Sequence, residues 1–150
     1  MTLSRRSVLT LALAAVSASA LPASAATAPI FATNGIAIHG TDPVAYFTES
    51  RAVDGSDAFT FDWMGATWRF ASAENRDLFA ANPTDYAPQF GGYCAYAASK
   101  GAIATSVPEA WTIYNGKLYL NFSLGVRTIW RKDIPGNIAK AEGYWPGILD

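Results

Sequence analysis

The chain has 150 residues, with 11 basic and 12 acidic side chains, one histidine and one cysteine. Its near-neutral charge and the absence of a basic stripe disfavour binding to nucleic acid or to an anionic membrane surface. A single cysteine excludes an intramolecular disulfide, and the length suffices for one domain with its own core but not for two.

The first 25 residues predict an export signal. Arg5 and Arg6 precede an apolar run over residues 8–16, and the small residues 23–25 follow. This order is typical of a signal peptide cleaved after Ala25. The paired arginines favour the twin-arginine route, with the general secretory route as the alternative. The apolar run is shorter than the roughly 20 residues of a membrane-spanning helix, so we expect a periplasmic or secreted protein.

Residues 26–35 are rich in alanine and are predicted to form a flexible lead-in to a domain over residues 36–150. Residues 36–38 predict a short strand. Asp42 followed by Pro43 indicates the start of a short helix, because Thr41 or Asp42 can cap its N-terminus and Pro fits the first turn. We therefore expect Asp42 to act as a helix cap and not as a general base.

Two later segments predict β-hairpins. In AFTFDWMGATWRFAS, aromatic residues alternate with polar ones and Gly65 marks the bend. In AWTIYNGKLYLNF, Asn115 and Gly116 form the preferred pair for a two-residue turn. Each hairpin has an aromatic or apolar face that needs a covering layer.

Helices are predicted between and after the hairpins. Ser72 is expected to cap a helix that ends at Asn82-Pro83, and QFGGYCAYAASKG is expected to form a helix closed by Gly101. Two further helical segments cover about residues 123–132 and 136–145, with a break at Pro135. Because no strand-helix-strand alternation is present, the predicted class is α+β, a small single domain of antiparallel hairpins packed against several short helices.

Three segments, GTDPVAYF, WRFASAENRDLFAANPTDYAPQFGGYCAYA and AWTIYNGKLYLNF, resemble exported bacterial proteins with a YHS domain. The resemblance covers about residues 36–146 and implies a small α+β fold. It does not imply any particular enzymatic activity. Shorter YHS domains, often attached to metal-transport ATPases and to mercury or copper resistance systems, resemble metal-binding modules. The cysteines of those short modules are absent here, and Cys94 in GGYCAYA alone matches the exported branch.

Cys94 and His39 are the candidate metal ligands. Cys94 is either a small packing residue, a soft ligand for copper or zinc, or a redox thiol, although no CxxC motif supports the last. His39 is either a solvated loop residue or a second ligand. One sulfur and one nitrogen are too few for a structural zinc site, whereas Cu(I) accepts two or three soft ligands. Met64 is a possible third ligand, with simple packing as the favoured alternative.

Aromatic residues supply a second candidate site. Most of them are expected in the core, but some could form an aromatic-lined pocket for a small organic ligand. The residues proposed to line this pocket are Tyr46, Tyr93, Tyr96, Trp111 and Asp42.

The leading functional hypothesis is a periplasmic binding module for a soft transition metal, copper first, that serves sequestration or delivery. The alternatives are a non-catalytic protein that binds a small organic ligand in the aromatic-lined pocket, and a structural or interaction domain. Catalysis is disfavoured, because the sequence has no nucleophile elbow, HExxH motif, phosphate loop or dinucleotide-binding glycine pattern.

Overall fold

The computed structural model describes residues 15–22 and 25–150. Residues 1–14 and 23–24, and with them most of the predicted export signal, lie outside the described residues. Within the described ranges, no helix is both long enough and apolar enough to cross a membrane.

The described chain folds into short strands and helices joined by 3-10 turns. The strands are β1 (Ala32–Thr33), β2 (Ile36–Ala37), β3 (Ser56–Trp63), β4 (Ala66–Phe70), β5 (Val107–Tyr114) and β6 (Lys117–Asn121). The α-helices are α1 (Ala45–Thr48), α2 (Ala73–Ala81), α3 (Pro83–Tyr86), α4 (Ala95–Ser99), α5 (Leu124–Trp130) and α6 (Ile134–Tyr144). The 3-10 turns are Ile38–Gly40, Gln89–Gly92, Arg131–Asp133 and Gly147–Leu149.

The strands form a four-stranded sheet in the order β1-β2-β4-β3 and a two-stranded sheet of β5 and β6. Both predicted hairpins are present, with β3 antiparallel to β4 and β5 antiparallel to β6. The α+β class is therefore confirmed. One pairing departs from the antiparallel expectation, because β2 runs parallel to β4 with Ile36 opposite Thr67. A two-residue strand carries no periodicity from which its partner or direction could be predicted.

Alternation along β4 places one face of the hairpin in the core. Trp68 and Phe70 are fully buried and pack on Phe79 of α2, with ring centroids 5.0 and 5.1 Å apart. Arg69 points to the opposite face, as period-two alternation requires. A second apolar cluster joins α4, α5, α6 and β6 and includes Tyr119 and Trp130.

The packed chain begins before residue 36, which corrects the predicted boundary of the flexible lead-in. Ile30 and Phe31 are 4% and 7% exposed and belong to the main core. The Phe31 N–H donates to the Gly91 carbonyl at 2.8 Å. These two large apolar residues are covered by segments distant in sequence, so local composition did not reveal their burial.

The helix predicted over residues 89–101 is interrupted, which corrects the placement of Cys94 inside it. Phe90 and Gly91 have positive φ angles of 55° and 63°, and α4 begins only after Cys94. A Cβ atom on Gly91 would overlap the Pro29 carbonyl oxygen, so the lead-in crosses this turn too closely for any other residue. Gly101, with φ of 71°, does follow the helix end as predicted.

The predicted break at Pro135 is also displaced. Pro135 lies in the first turn of α6, where proline is tolerated, and Asp133 caps that helix by accepting from the Gly136 N–H at 3.0 Å. The break between α5 and α6 is the 3-10 turn Arg131–Asp133.

Candidate functional site

The main candidate site is an open apolar groove with a volume of about 450 Å³. We call it the aromatic groove. Its principal walls are Trp63 and Met64 from the first hairpin, Phe90 from the 3-10 turn before Cys94, and Trp145 from the end of α6. Ile30 from the lead-in and Leu149 near the carboxyl terminus complete the apolar surface.

The aromatic walls are held by the core behind them. The Trp63 ring lies 5.7 Å from Phe79 and 5.9 Å from Trp68, measured between ring centroids. The Trp145 ring contacts Phe90 at 5.9 Å in an edge-to-face arrangement. Such edge and tilted contacts stabilise aromatic clusters and fix ring orientation. The groove is therefore preformed before any ligand arrives.

Met64 lies at the edge of this groove in an unfavourable backbone conformation. It has a φ of 50° and is followed by Gly65 with a φ of 78°, while Asn115 and Gly116 in the other hairpin have 50° and 74°. Two-residue turns with positive φ favour Asn at the first position, because the short polar side chain tolerates the left-handed region. Met64 nevertheless occupies this position, and its side chain is half exposed at the groove.

Polar groups in the groove are sparse. Among the described lining residues, Thr84 and Gln89 are the polar side chains, and none is charged. An apolar wall with one or two polar groups is the usual composition of a site for a small organic molecule. The arrangement suits an uncharged ligand with a flat apolar portion and a polar edge.

Cys94 lies in the core and caps α4. Its side chain is 1% exposed, and Sγ accepts from the Ala97 N–H at 3.5 Å. The thiol also lies 3.5 Å from Asn121 Oδ1, which accepts from the Tyr96 N–H at 3.0 Å. These contacts support the packing interpretation of Cys94.

His39 and Cys94, the two candidate metal ligands, share no hydrogen-bond partner. The His39 side chain is exposed, its ring meets Phe31 edge-on at 5.2 Å, and Nε2 lies 2.9 Å from the Ser106 carbonyl oxygen. Because a carbonyl oxygen only accepts, Nε2 carries the proton of this hydrogen bond. No group of three potential metal ligands occurs in the part of the chain that the structure describes.

The aromatic groove does not include the residues predicted to line a ligand pocket. Tyr46 is fully buried, its ring lies 5.5 Å from that of Trp111, and its hydroxyl donates to the Pro108 carbonyl at 2.8 Å. Burial and the negative charge of Glu109 raise the pKa of Tyr46 well above its usual value. Tyr46 is thus a neutral core phenol.

Asp42 acts as the cap that the sequence predicts. It is fully buried, and Oδ1 accepts from the Val44 N–H at 2.9 Å at the start of α1. Its second oxygen accepts from the Ala71 N–H at 2.9 Å and from Asn75 Nδ2 at 2.7 Å. The carboxylate therefore joins α1 to the start of α2 and is not directed into the groove.

Tyr93 and Tyr96 also have roles outside the groove lining. The Tyr93 hydroxyl donates to the Ala28 carbonyl at 2.8 Å, and burial raises its pKa. The Tyr96 ring is half buried and has Lys100 Nζ 5.2 Å from its centroid. Tyr93 supports the groove from behind, since its ring lies 6.3 Å from that of Trp145.

Most residues of the groove were not predictable from the sequence. Trp63, Phe90 and Trp145 are separated by more than twenty positions each and meet only in the fold. The one local signal was Met64, since a methionine before glycine in a tight hairpin turn is unusual.

The chain matches no family model, no curated protein and no solved structure.

Proposed function

We propose that the protein is a non-catalytic binding module for a small, uncharged organic molecule, held in the aromatic groove by its flat apolar portion. The observation that carries this proposal is Met64, a strained turn residue placed at the edge of a preformed aromatic site. Non-glycine residues held in sparsely populated backbone regions cluster at functional sites. The volume of about 450 Å³ also falls in the range of small-molecule sites.

The expected affinity is modest. A flat aromatic ligand buries roughly 150–250 Å². At about 25 cal/mol per Å² this burial gives about 4–6 kcal/mol. Because association also costs translational and rotational freedom, this burial sets only an upper limit on affinity, and we expect a Kd no tighter than some tens of micromolar. Because the groove is open, we expect binding and release without domain motion.

The competing copper-binding hypothesis depends on Cys94. The burial of that thiol supports copper binding less well than the groove supports an organic ligand. A copper ion would have to reach a side chain that is 1% exposed and displace the contact with the Ala97 N–H. The organic-ligand hypothesis needs only the groove as it stands. The predicted export signal would place either binding activity in the periplasm or outside the cell.

The proposal is tested by titration with N-phenylnaphthylamine, a neutral aromatic probe whose fluorescence rises in apolar sites. We expect saturable binding of one probe per chain, accompanied by a change in tryptophan fluorescence from Trp63 and Trp145. Met64→Asn should weaken probe binding about three- to tenfold, because a methionine-aromatic contact contributes on the order of 1 kcal/mol. The same variant should not lose stability, because Asn is favoured at this turn position.

Leu124→Asn is the matched control. Leu124 is 53% exposed, similar to Met64 at 50%, and lies outside the aromatic groove. This control should bind the probe like the parent protein. Equal weakening in both variants, or probe binding that does not saturate, would contradict the proposal by showing nonspecific adsorption to exposed apolar side chains.

A further inference from the structure

We propose that a second groove, formed around Arg69 and His39, binds the oxyanion group of a small carboxylate or phosphate ligand. This polar groove has a volume of about 510 Å³ and is lined by Thr33, Asn34, Ile36, His39 and Arg69. It shares no lining residue with the aromatic groove. The inference therefore stands independently of the proposed function.

The first observation is an uncompensated guanidinium. The ion pairs found within residues 15–22 and 25–150 are Arg51–Glu49 and Arg76–Asp77, so Arg69 has no carboxylate partner there. Its Nε atom is buried and has no hydrogen-bond partner. An arginine that lines a groove and has no carboxylate partner leaves its positive charge available to an anion from solvent.

The second observation is that two glycines fix the position of Arg69. A Cβ atom on Gly55 would overlap the Arg69 backbone, and one on Gly40 would lie 3.3 Å from Arg69 Cδ. The Gly55 N–H donates to the Gly40 carbonyl at 2.8 Å and joins the two segments. The arginine stem is therefore enclosed by backbone, which limits its freedom and orients the guanidinium in advance.

The third observation is a strained backbone beside the arginine. Ile38, His39 and Gly40 are consecutive residues with φ angles of 39°, 58° and 75°. A β-branched residue such as Ile38 is a genuine outlier at positive φ. This conformation places His39 in the same groove as Arg69, which is consistent with strain retained at a ligand site.

The donor set selects an anion over a metal ion. Arg69 presents a planar fork of N–H donors that matches a carboxylate or a phosphate, and Asn34 and Thr33 add an amide and a hydroxyl. The fixed positive charge repels a metal cation from His39. Asp62 lies opposite Thr67, diagonally across the β3–β4 pair from Arg69, and it already accepts from the Thr67 hydroxyl at 2.8 Å.

The test is a titration of isotope-labelled protein with sodium phosphate and, in parallel, with sodium acetate. Sodium chloride at matched ionic strength gives the reference, and amide and arginine Nε resonances are followed by NMR. We expect saturable shifts at Asn34, His39 and Arg69 Nε, with a Kd of about 1 mM or tighter. Response to acetate alone would assign a carboxylate ligand, and response to phosphate alone a phosphate ligand. A response to neither would overturn the proposal.

Variants decide whether the groove itself binds the anion. Arg69→Gln should raise the Kd at least about tenfold, because it removes a charge-assisted hydrogen-bonding fork. Arg51→Gln is the control, since Arg51 is an exposed arginine outside the groove, and it should bind like the parent. If Arg69→Gln does not fold, Arg69→Lys replaces it, because Lys keeps the charge but loses the planar fork of donors, and it should also bind the anion more weakly. Unchanged affinity in the folded variant would overturn the proposal.

Discussion

At the scale of single residues, Cys94 separates the two binding hypotheses. Because the thiol is buried and caps α4, we predict that dithiobis(nitrobenzoate) reacts with it in folded protein only at the rate of unfolding. Cys94→Ser should retain stability within about 1 kcal/mol, since Ser is a good N-cap. Cys94→Ala should lose about 1–2 kcal/mol. Absorbance of the released thionitrobenzoate measures the reactivity of Cys94, and urea unfolding measures the stability of the two variants.

Urea-unfolded protein supplies the control, since its thiol should react at once. The copper hypothesis predicts the opposite behaviour, a thiol that reacts quickly in folded protein and is protected by Cu(I). Stoichiometric Cu(I) binding lost in Cys94→Ser would contradict the structural interpretation of Cys94 and restore copper as the leading function.

Tyr46 gives a prediction on pH. Its pKa is raised from 10.0 by burial and then by Glu109. Above about pH 10 the unfolded chain releases the phenol proton while the folded chain retains it, so stability falls as pH rises. One such group contributes a slope of up to about 1.4 kcal/mol per pH unit. Tyr46→Phe should be less stable near neutral pH, having lost the hydrogen bond to Pro108, and should show a shallower alkaline decline.

Urea unfolding between pH 8 and about pH 11, followed by tryptophan fluorescence, measures both slopes. Tyr144→Phe removes a half-exposed phenol and is the control for losing one tyrosine. Parallel declines for the parent and Tyr46→Phe would show that Tyr46 does not keep its proton in the folded state.

At the scale of elements, the strands and helices that were predictable from the sequence are those stabilised by contacts between residues close in the chain. The hairpins were predictable because aromatic alternation and a glycine turn are present within a single stretch of chain. The helix start at Ser72 was predictable because its hydroxyl accepts from Asn75, three residues later, at 3.1 Å. In each case the stabilising contact joins residues close in sequence.

Elements shaped by distant contacts were not predictable in the same way. The helix predicted around Cys94 is interrupted at Gly91, which lies against Pro29, more than sixty residues earlier in the chain. The parallel pairing of Ile36 with Thr67 likewise joins two segments that are distant in sequence. The aromatic groove also depends on distant contacts, because its lining residues lie between positions 29 and 149 of the chain. Aromatic residues chosen from local motifs, such as Tyr46, proved instead to be core.

At the scale of the whole molecule, the lead-in is part of the fold, and this gives the last prediction. A chain over residues 36–150 should be at least about 4 kcal/mol less stable than one over residues 26–150. The buried side chains of Ile30 and Phe31 each contribute about 1.5–3 kcal/mol. The shorter chain also loses the hydrogen bond to the Gly91 carbonyl. Against a typical total of about 5–15 kcal/mol, this loss leaves marginal stability.

Urea unfolding of both chains measures that difference, and the N-phenylnaphthylamine titration adds a second readout. Ile30 lines the aromatic groove, so the shorter chain should bind the probe more weakly even under conditions in which it remains folded. A chain over residues 27–150 is the control, because it keeps Ile30 and Phe31 and should match the longer chain. Equal stability of the chains starting at residues 26 and 36 would instead support a flexible lead-in, and the groove would then lack a fixed wall at Ile30.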